Sequence, residues 1–311
     1  MAEAKRSVIP DVCLPNRGGG WTAQDKARAA AAIGAACRSG GYFFLRHHGI
    51  AADLLSAVYE ETRRFYRLPV AEKIKYNASE QSQFLGYRGL GREKSTAHAG
   101  AEACEQYRIG NTKGALGTPV ASDLYRAPFV QGACLFKHLV DLGDRVLSAC
   151  ADDLGLPAAD FDSSMNSPMH RLGFNHYRVG HAEEIGNTVD YAMSPHVDLS
   201  IFTILTQNEP GLEVRGLEGK WICVPPAQDA LFVFLGDYLQ RWTNGLYVAC
   251  EHRVRQVRTQ RLSIQYKHRP GHDAVVSPLD RFVGEGNPAR YEPFDTGRQY
   301  TSFLKSLLGS G

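Results

Sequence analysis

The residues best suited to chemistry are two histidines and one aspartate. His196 and Asp198 stand two positions apart in the run Ser194-Pro-His-Val-Asp-Leu-Ser200. In an extended segment, side chains two apart point to the same face, so this imidazole and this carboxylate can share one small space. If a later strand of the same sheet system places His252 beside them, the three form a 2-His-1-carboxylate set. Such a set leaves several coordination positions of an Fe(II) ion open for oxygen chemistry.

A second His-x-carboxylate pair, His181 and Glu183, shows that this spacing alone is weakly specific. His181 follows a glycine and precedes a polar run, which predicts a loop, whereas Asp198 precedes the β-prone run 199–206. Because a strand can hold two ligands in place, the sequence favours His196 and Asp198. Taken alone, the pair is also explained as a polar strand end, and His252 as a hydrogen-bonded histidine within a sheet.

A third pair, Arg261 and Ser263, lies two apart on a predicted strand over 261–266. Arginine presents a planar fork that binds a carboxylate at two points, and serine adds a hydroxyl donor. Together they can anchor a dicarboxylate. Arg241-Trp-Thr243 has a similar form, but it precedes the turn signal Asn244-Gly245 and is the weaker candidate.

These motifs together resemble a known family. The ordered set His196-x-Asp198, Gly236-Asp237, Glu251-His-Arg-Val254 and Arg261-Leu-Ser263 is similar to the isopenicillin N synthase-like family of Fe(II)- and 2-oxoglutarate-dependent oxygenases. The resemblance covers nearly the whole chain, because segments 8–11, 41–50, 68–76 and 86–87 also match the N-terminal region of that family in order. Agreement of several independent segments is more specific than any one of them.

The resemblance implies a cofactor and two co-substrates. His196, Asp198 and His252 would bind Fe(II), and the reaction would consume 2-oxoglutarate and O2. Arg261 and Ser263 would bind the far carboxylate of 2-oxoglutarate. The chemistry would be centred on the iron, with no separate acid or base.

Three more residues are implied as contacts of 2-oxoglutarate. Asn175-His-Tyr177 matches the place where relatives carry Asn-x-Tyr, so the Tyr177 hydroxyl would touch the co-substrate and Asn175 would face the pocket. Met193, just before the metal pair, would either pack on the co-substrate or fill the core.

The segment from Tyr76 to about Thr118 is rich in glycine, serine and charge, which predicts a long loop. In the family that the chain resembles, this region lies near the substrate mouth. The candidate substrate contacts are therefore Tyr87, Arg88 and Tyr107. A solvated surface loop is the alternative for each of them.

Composition excludes several classes of protein. The chain has 311 residues, a formal net charge of +2 and 22% charged residues, so it lacks the basic footprint of a nucleic-acid-binding protein. Seven cysteines without CxxC spacing argue against a disulfide framework and a zinc cluster. With no apolar leader and no run long enough to span a bilayer, we expect a cytoplasmic protein that acts on a small molecule without a membrane. No pattern indicates the oligomeric state.

The predicted fold is α+β: a double-stranded β-helix (a cupin-like jelly roll) with flanking helices that are mostly N-terminal. Thr22-Ala-Gln-Asp25 has the form of a capping box and predicts a helix to about Arg38. Further helices are predicted over 51–66, 131–156 and 295–308. The predicted organisation is an N-terminal region (1–120), a scaffold helix (121–165), a catalytic jelly roll (166–271) and a C-terminal segment with a lid helix (272–311), all within one structural unit.

The predicted activity is oxidation of a C–H bond of a small molecule, with a secondary metabolite as the expected substrate and release of succinate and CO2. Hydroxylation, desaturation and ring formation or expansion all remain open. One alternative is an oxidase of the isopenicillin N synthase type, which uses Fe(II) and O2 without 2-oxoglutarate. A second alternative is a cupin-like metal-binding protein that is not an oxygenase, and a third is an interaction module.

Overall fold

A computed structural model describes residues 9–14, 22–95, 100–111, 127–157 and 159–308 of the chain. Val8, the first residue of the first matching segment, and the predicted domain boundary at 120/121 lie outside the described residues. The division into four regions therefore stays a proposal.

The helices frame the N-terminal half and close the C-terminal end. They are α1 (Ala23–Ser39), α2 (Ala52–Tyr66), α3 (Val70–Lys73), α4 (Val130–Leu154), α5 (Ala159–Asp162), α6 (His181–Glu184), α7 (Asp237–Trp242) and α8 (Thr296–Leu308). The predicted capping box is present, because the Thr22 hydroxyl accepts from the Asp25 N–H and the Asp25 carboxylate accepts from the Thr22 N–H. The long helices 51–66 and 131–156 are confirmed to within two residues at each end.

Fourteen strands are described. They are β1 (Asp11–Cys13), β2 (Tyr42–Arg46), β3 (Gly86–Arg88), β4 (Glu105–Gly110), β5 (Arg171–Tyr177), β6 (Tyr191–His196), β7 (Phe202–Gln207), β8 (Leu212–Arg215), β9 (Trp221–Cys223), β10 (Ala230–Leu235), β11 (His252–Arg255), β12 (Arg261–His268), β13 (Val275–Val276) and β14 (Phe294–Asp295).

Two sheets form the centre of the molecule. The larger has the order β1-β2-β10-β7-β12-β5-β4-β3, and the smaller has the order β6-β11-β8-β9. Only the β1–β2 pair is parallel among the described strands; the other pairs are antiparallel. Several neighbours, such as β6 and β11 or β7 and β12, are distant in sequence, so residues far apart in the chain meet at one mouth. This arrangement is the predicted jelly roll, with helices added to it.

Strand alternation divides the apolar residues of the large sheet between two cores. On one face, Phe43, Leu45, Ile204 and Val233 pack with helices α1, α2 and α4. On the other face, Phe44, Leu205 and Phe232 pack against residues of the small sheet such as Leu212 and Val254. The polar site described below lies on this second face. A smaller cluster, in which Tyr300, Leu304 and Leu308 contact Phe84 and Met169, fixes helix α8 to the body.

The predicted loop over 76–118 is partly wrong. Strands β3 and β4 lie within it, paired so that Arg88 is opposite Gln106 and Tyr87 is opposite Tyr107. Their short lengths and polar alternate residues do not stand out from a loop in sequence, because their stability depends on pairing: β3 pairs with β4, and β4 pairs in turn with the distant strand β5. Likewise His181 lies in a one-turn helix, α6, where the sequence predicted a loop.

The cysteines and the described helices bear on the predictions about disulfides and membrane spans. All seven cysteines are free thiols. Among the described helices, none combines the length and apolar character needed to cross a bilayer.

Candidate active site

Two neighbouring strands of the small sheet bring His196, Asp198 and His252 together. His196 ends β6, His252 begins β11, and the two residues are direct cross-strand partners. The Asp198 Oδ1 atom lies 3.6 Å from His196 Nε2 and 3.9 Å from His252 Nε2. One donor atom from each of the three residues lies within 4.8 Å of the others. The predicted 2-His-1-carboxylate set therefore exists as a cluster of converging donor atoms.

Backbone carbonyls set the tautomer of both imidazoles. His196 Nδ1 lies 2.7 Å from the Ser194 carbonyl oxygen, and His252 Nδ1 lies 3.1 Å from the Cys250 carbonyl oxygen. A carbonyl only accepts, so each Nδ1 carries the proton and donates, which leaves the Nε2 lone pairs directed towards Asp198. Burial, and then nearby His196, lowers the pKa of His252 to about 3, so that this imidazole is neutral at pH 7. Burial opposes protonation of His196, but its hydrogen bond with Asp198 raises its pKa, so metal binding would displace a proton there. The donor set fits Fe(II) in ligand type.

Asp198 lies in the connection between β6 and β7, whereas the sequence placed it on the same extended segment as His196. Other contacts hold its carboxylate in place of a strand. Its Oδ2 accepts from the Thr203 hydroxyl at 2.5 Å, and its backbone oxygen accepts from the Asp237 N–H at 2.9 Å. Gly236 is required here, because a Cβ at this position would lie 2.1 Å from the Ser200 carbonyl oxygen. The Gly236-Asp237 motif thus positions the acidic ligand.

Lys267 of β12 donates to Asp198 Oδ1 from the opposite sheet. Burial opposes ionisation of Asp198, but the Lys267 ammonium, followed by the two histidines, lowers the pKa of this carboxyl well below its ordinary range. The carboxylate is therefore ionised at any pH at which an Fe(II) enzyme would work.

The residues predicted for 2-oxoglutarate also lie together, on β12 and β5. Arg261 is opposite Tyr177 and Ser263 is opposite Asn175 in the strand register. The buried Arg261 guanidinium lies 4.8 Å from the centre of the Tyr177 ring, and its Nη1 is 3.5 Å from the Ser263 hydroxyl. Gln207 on β7 accepts from Arg261 at 2.7 Å and 3.2 Å and so orients the fork.

Neighbouring contacts complete this second group. The Asn175 amide donates to the Tyr177 hydroxyl at 3.2 Å and accepts from Arg108 at 2.7 Å. The Tyr177 hydroxyl lies 3.8 Å from the sulfur of Met193, which comes from β6 and also lines the cavity beside the metal set. Met193 is thus placed between the two groups, a position compatible with both of its predicted roles.

Of the three candidate substrate contacts, only Arg88 lines the cavity that opens on His196 and Asp198. Tyr87 faces the other side of β3, where its hydroxyl donates to Glu105. Tyr107 is buried in an aromatic cluster, 4.9 Å from Phe65 between ring centres. Since adjacent residues of a strand point to opposite faces, Arg88 and its neighbour Tyr87 cannot both face the cavity. Tyr87 and Tyr107 therefore do not line this cavity, and of the three candidates only Arg88 does.

In the other His-x-carboxylate pair, Glu183 takes no part in a comparable site, although His181 lies with Glu105 and His176 in a second cluster whose donor atoms are within 4.8 Å of one another. Glu183 is exposed, while buried His181 lies near Glu105, 3.8 Å from its Oε2. Glu105 already binds the Lys73 ammonium at 2.5 Å and His176 Nδ1 at 2.9 Å. His181 Nδ1 accepts from the Arg178 N–H at 3.3 Å, so its proton is on Nε2. A protonated Nε2 that faces a carboxylate already bonded to Lys73 and His176 indicates a structural hydrogen-bond network.

This network predicts a pH dependence of stability. Burial, and then neighbouring His176, lowers the pKa of His181 to about 4. Its unfolded value is about 6.5, so the unfolded chain takes up a proton first as the pH falls. The stability contributed by neutral His181 is complete above about pH 6.5 and is lost as the pH falls towards 4. Relative to wild type, His181→Gln should lose less stability below pH 6.5, by about 1.4 kcal/mol per pH unit.

Urea unfolding at pH 7, 6 and 5 measures this difference. His138→Gln, a change at an exposed position of α4, is the matched control. Its free energy of unfolding should change with pH as that of wild type does. If the free energy of unfolding changes equally with pH in His181→Gln and in wild type, the assignment of a neutral, buried imidazole is wrong.

Several residues of the site were missed from the sequence. Lys267 and Arg269 continue the alternate-residue row that begins with Arg261 and Ser263, and extending the predicted strand beyond Tyr266 would have found them. Gln207 and Thr203 carry no such signal. Both come from β7, whose position beside β12 is a tertiary fact.

Comparison with known proteins places these groups in context. Residues 170–270 match the family model of the 2OG-Fe(II) oxygenase superfamily, and residues 16–125 match the model of the N-terminal region of non-haem dioxygenases in morphine synthesis. The first match begins one residue before β5 and ends just after β12. It contains the metal set and the residues predicted to contact 2-oxoglutarate, which we call the Arg261 group: Arg261, Ser263, Tyr177, Asn175 and Met193.

Individual relatives agree with the family match. The chain is 29% identical over 272 residues to homoarginine-6-hydroxylase 2-ODD-233 of Oryza sativa subsp. japonica, covering 83% of this chain and 82% of the relative. The fold is similar to that of a full-length Neurospora crassa protein in complex with alpha-KG, with a TM-score of 0.82, 23% identity and 98% of each chain covered. It is also similar to JOX2 in complex with 2OG, Fe and JA, with a TM-score of 0.77, 27% identity and coverage of 97% and 86%.

Proposed function

Because this chain belongs to the 2OG-Fe(II) oxygenase superfamily, we propose that its own His196, Asp198 and His252 bind the Fe(II) ion and that Arg261 and Ser263 bind 2-oxoglutarate. The protein is an Fe(II)- and 2-oxoglutarate-dependent dioxygenase. The observation that carries the residue assignment is the convergence of two Nε2 lone pairs and one ionised carboxylate within 4.8 Å.

The bound iron, with 2-oxoglutarate and O2, supplies the oxidising chemistry that converts 2-oxoglutarate to succinate and CO2 while a C–H bond of the substrate is oxidised. The protein contributes placement. The Ser194 and Cys250 carbonyls hold both imidazoles in the ligand tautomer, and Thr203 holds the carboxylate. Rigid support of this kind preserves the ligand geometry during the reaction.

The Arg261 group is proposed to orient the co-substrate. Its guanidinium is fully buried and already fixed by Gln207 and the Tyr177 ring, so little side-chain entropy is lost when a carboxylate binds. Ser263 and Tyr177 offer hydroxyl donors to the same ligand, and Asn175 holds the Tyr177 hydroxyl. Met193 is proposed to separate the co-substrate from the substrate cavity.

The proposed substrate is a small molecule, in keeping with the JA present in the JOX2 structure. We expect a secondary metabolite, and the outcome can be hydroxylation, desaturation or ring formation or expansion. The choice depends on where the substrate sits relative to the metal, which the residue set does not fix.

Succinate release tests the proposed function. Purified protein supplied with Fe(II), 2-oxoglutarate, O2 and a library of small molecules should form succinate, and omission of Fe(II) or 2-oxoglutarate should abolish it. Oxygen consumption that continues without 2-oxoglutarate would support an oxidase of the isopenicillin N synthase type. Bound iron without any consumption of oxygen would support a cupin-like metal-binding protein.

A further inference from the structure

The cavity beside the metal set has a volume of ≈ 230 Å³. We name it the substrate cavity. His196 and Asp198 lie on one side of it, and Tyr300 and Leu304 of helix α8 lie on another. Arg261 and Ser263 do not line it, so it is distinct from the proposed 2-oxoglutarate group. Ligand pockets generally measure ~300–1,000 Å³, which makes this one suited to a small molecule.

Basic side chains dominate the lining. Those contributed by the sheets and the segments beside them are Arg88, Arg108, Arg171, Lys267 and Arg269, with exposed Lys94 nearby. The acidic residues that line it are Glu93, Glu102 and Asp198. Glu93 forms an ion pair with Arg88, and Asp198 forms one with Lys267. The lining thus has more positive than negative side chains.

Three arginines of the lining form no ion pair with a carboxylate among the residues that the structure describes, although Glu93 lies close enough to Arg108 to affect its pKa. Arg108 donates to the neutral amides of Asn175 and Gln106. Arg171 donates from Nη1 to the His170 carbonyl oxygen at 3.0 Å. Arg269 stacks on the Tyr300 ring, with its guanidinium carbon 3.8 Å from the ring centre. The Tyr300 hydroxyl also lies close to both Arg171 and Arg269, but none of these contacts is with a carboxylate.

Two of these arginines also have unsatisfied hydrogen-bond donors. Arg171 and Arg269 are each 3% exposed. Arg171 Nη2, Arg269 Nε and Arg269 Nη1 are buried and lack a partner within the described part of the chain. Burial of an unpaired cation is unfavourable, and native proteins satisfy nearly all such donors. Donors of this kind in a cavity indicate that an anion binds there.

The pKa of Tyr300 also indicates that the cavity favours negative charge. Burial opposes ionisation of its phenol, yet the surrounding Arg269, Arg171 and Arg88 guanidiniums lower its pKa to about 7. A group that does not normally ionise near neutral pH is thus drawn towards its anionic form. The local potential therefore favours negative charge.

We infer that Arg171 and Arg269 bind a carboxylate of the primary substrate, so that the substrate is a small organic acid. This inference rests on the proposed function, because it takes the cavity beside the metal set as the substrate site. The planar arginine fork matches a carboxylate at two points, and three unsatisfied donors are available from the two side chains.

The position of the two arginines fits this role. Strand β12 begins with Arg261, reaches Asp198 through Lys267 and continues directly into Arg269. Lys267 is opposite Arg171 in the register with β5. Lys267 contacts Asp198 of the metal set. Along the chain, Arg261 lies before Lys267 and Arg269 lies after it. One end is suited to the acid group of 2-oxoglutarate, and the other to the acid group of the substrate.

The test uses a panel of small carboxylic acids, each paired with its neutral primary amide. Stimulation of succinate release is measured with Fe(II) and 2-oxoglutarate, and binding to chelator-treated protein is measured by calorimetry. We expect at least one acid to bind and to stimulate succinate release, with an apparent affinity at least ~30-fold above that of its amide. Acids and amides that act equally, or a panel in which no acid binds, would overturn the inference.

Two variants locate the site. Arg171→Gln and Arg269→Gln should each lower kcat/KM for the active acid by ~30-fold or more, with a smaller effect on the KM for 2-oxoglutarate. Arg171→Lys, which keeps the charge but loses the fork, should fall between wild type and Arg171→Gln and guards against misfolding. The exposed Arg28→Gln is the matched control and should resemble wild type.

The results separate this inference from the proposed function. If the KM for 2-oxoglutarate rises instead of the KM for the acid, the arginines serve the co-substrate and the inference is wrong. If wild type releases no succinate with any compound but still prefers acids to amides in calorimetry, and loses that preference in Arg171→Gln, the proposed function fails while the carboxylate site stands.

Discussion

Asp198→Asn should abolish Fe(II)-dependent succinate release, with a loss of more than about 100-fold. The substitution is nearly isosteric, so it removes the only anionic ligand of the proposed set and leaves both imidazoles in place. Loss of residues that merely support a ligand already lowers metal affinity or activity by about 10–100-fold, so loss of a ligand should exceed that range. Iron content after dialysis and succinate formation at saturating 2-oxoglutarate measure the effect.

The chain offers a matched control for this change. Glu183→Gln alters the carboxylate of the other His-x-carboxylate pair, which is exposed and outside the metal set. It should bind iron and release succinate as wild type does. Because Asp198→Asn also leaves the Lys267 ammonium without its carboxylate partner, circular dichroism must first show that this variant is folded. A folded Asp198→Asn protein that retains a full equivalent of iron would refute the ligand assignment.

Arg261→Lys should raise the KM for 2-oxoglutarate by about 30-fold or more and change kcat much less. Truncating one partner of a buried, hydrogen-bonded charge pair costs about 2–5 kcal/mol, and each 1.4 kcal/mol corresponds to a factor of ten. Lysine keeps the charge but loses the fork that Gln207 and the Tyr177 ring now orient. Initial rates of succinate release at increasing 2-oxoglutarate give both constants.

The control for this prediction is the second Arg-x-hydroxyl sequence, Arg241-Trp-Thr243. In the structure, Arg241 belongs to helix α7 and forms an ion pair with Asp237 at 2.5 Å. Arg241→Lys should therefore leave the KM for 2-oxoglutarate near the wild-type value. If Arg261→Lys and Arg241→Lys have the same KM for 2-oxoglutarate, the proposed role of Arg261 is wrong. In that case, the Arg171 and Arg269 pair becomes the first place to look for the co-substrate.

The sequence could predict much of the metal set because its information is local. The order of the motifs suggested the ligands, and the structure adds that Gly236, part of the same ordered set, lies where a Cβ would be 2.1 Å from the Ser200 carbonyl oxygen. The i, i+2 argument was correct for Arg261 and Ser263, which share a face of β12. For His196 and Asp198 it gave the right neighbours for a partly wrong reason, since Asp198 is held beyond the strand end by Thr203 and Asp237.

The long amphipathic helices were also readable from the sequence. Apolar residues that recur every three to four positions indicate a helix whatever packs against it. The predicted boundaries of α2 and α4 were therefore close to those observed. The short strands β3 and β4 were not predicted, because their stability comes from pairing of β3 with β4 and of β4 with the distant strand β5. Tyr87 and Tyr107 were named as candidate substrate contacts because this region lies near the substrate mouth in the family that the chain resembles.

By itself, then, the sequence determined which residues could bind iron and 2-oxoglutarate, since ligand chemistry and alternate spacing are properties of short segments. Only the tertiary structure decided which face each strand presents, which side chains support the ligands, and that Arg171, Arg269 and Tyr300 share one cavity. Arg171 lies on β5, Arg269 directly follows β12 and Tyr300 lies on the C-terminal helix, so their meeting depends on sheet register and on the docking of α8. No local pattern contains that information, because burial and unpaired charge arise only when distant segments pack together.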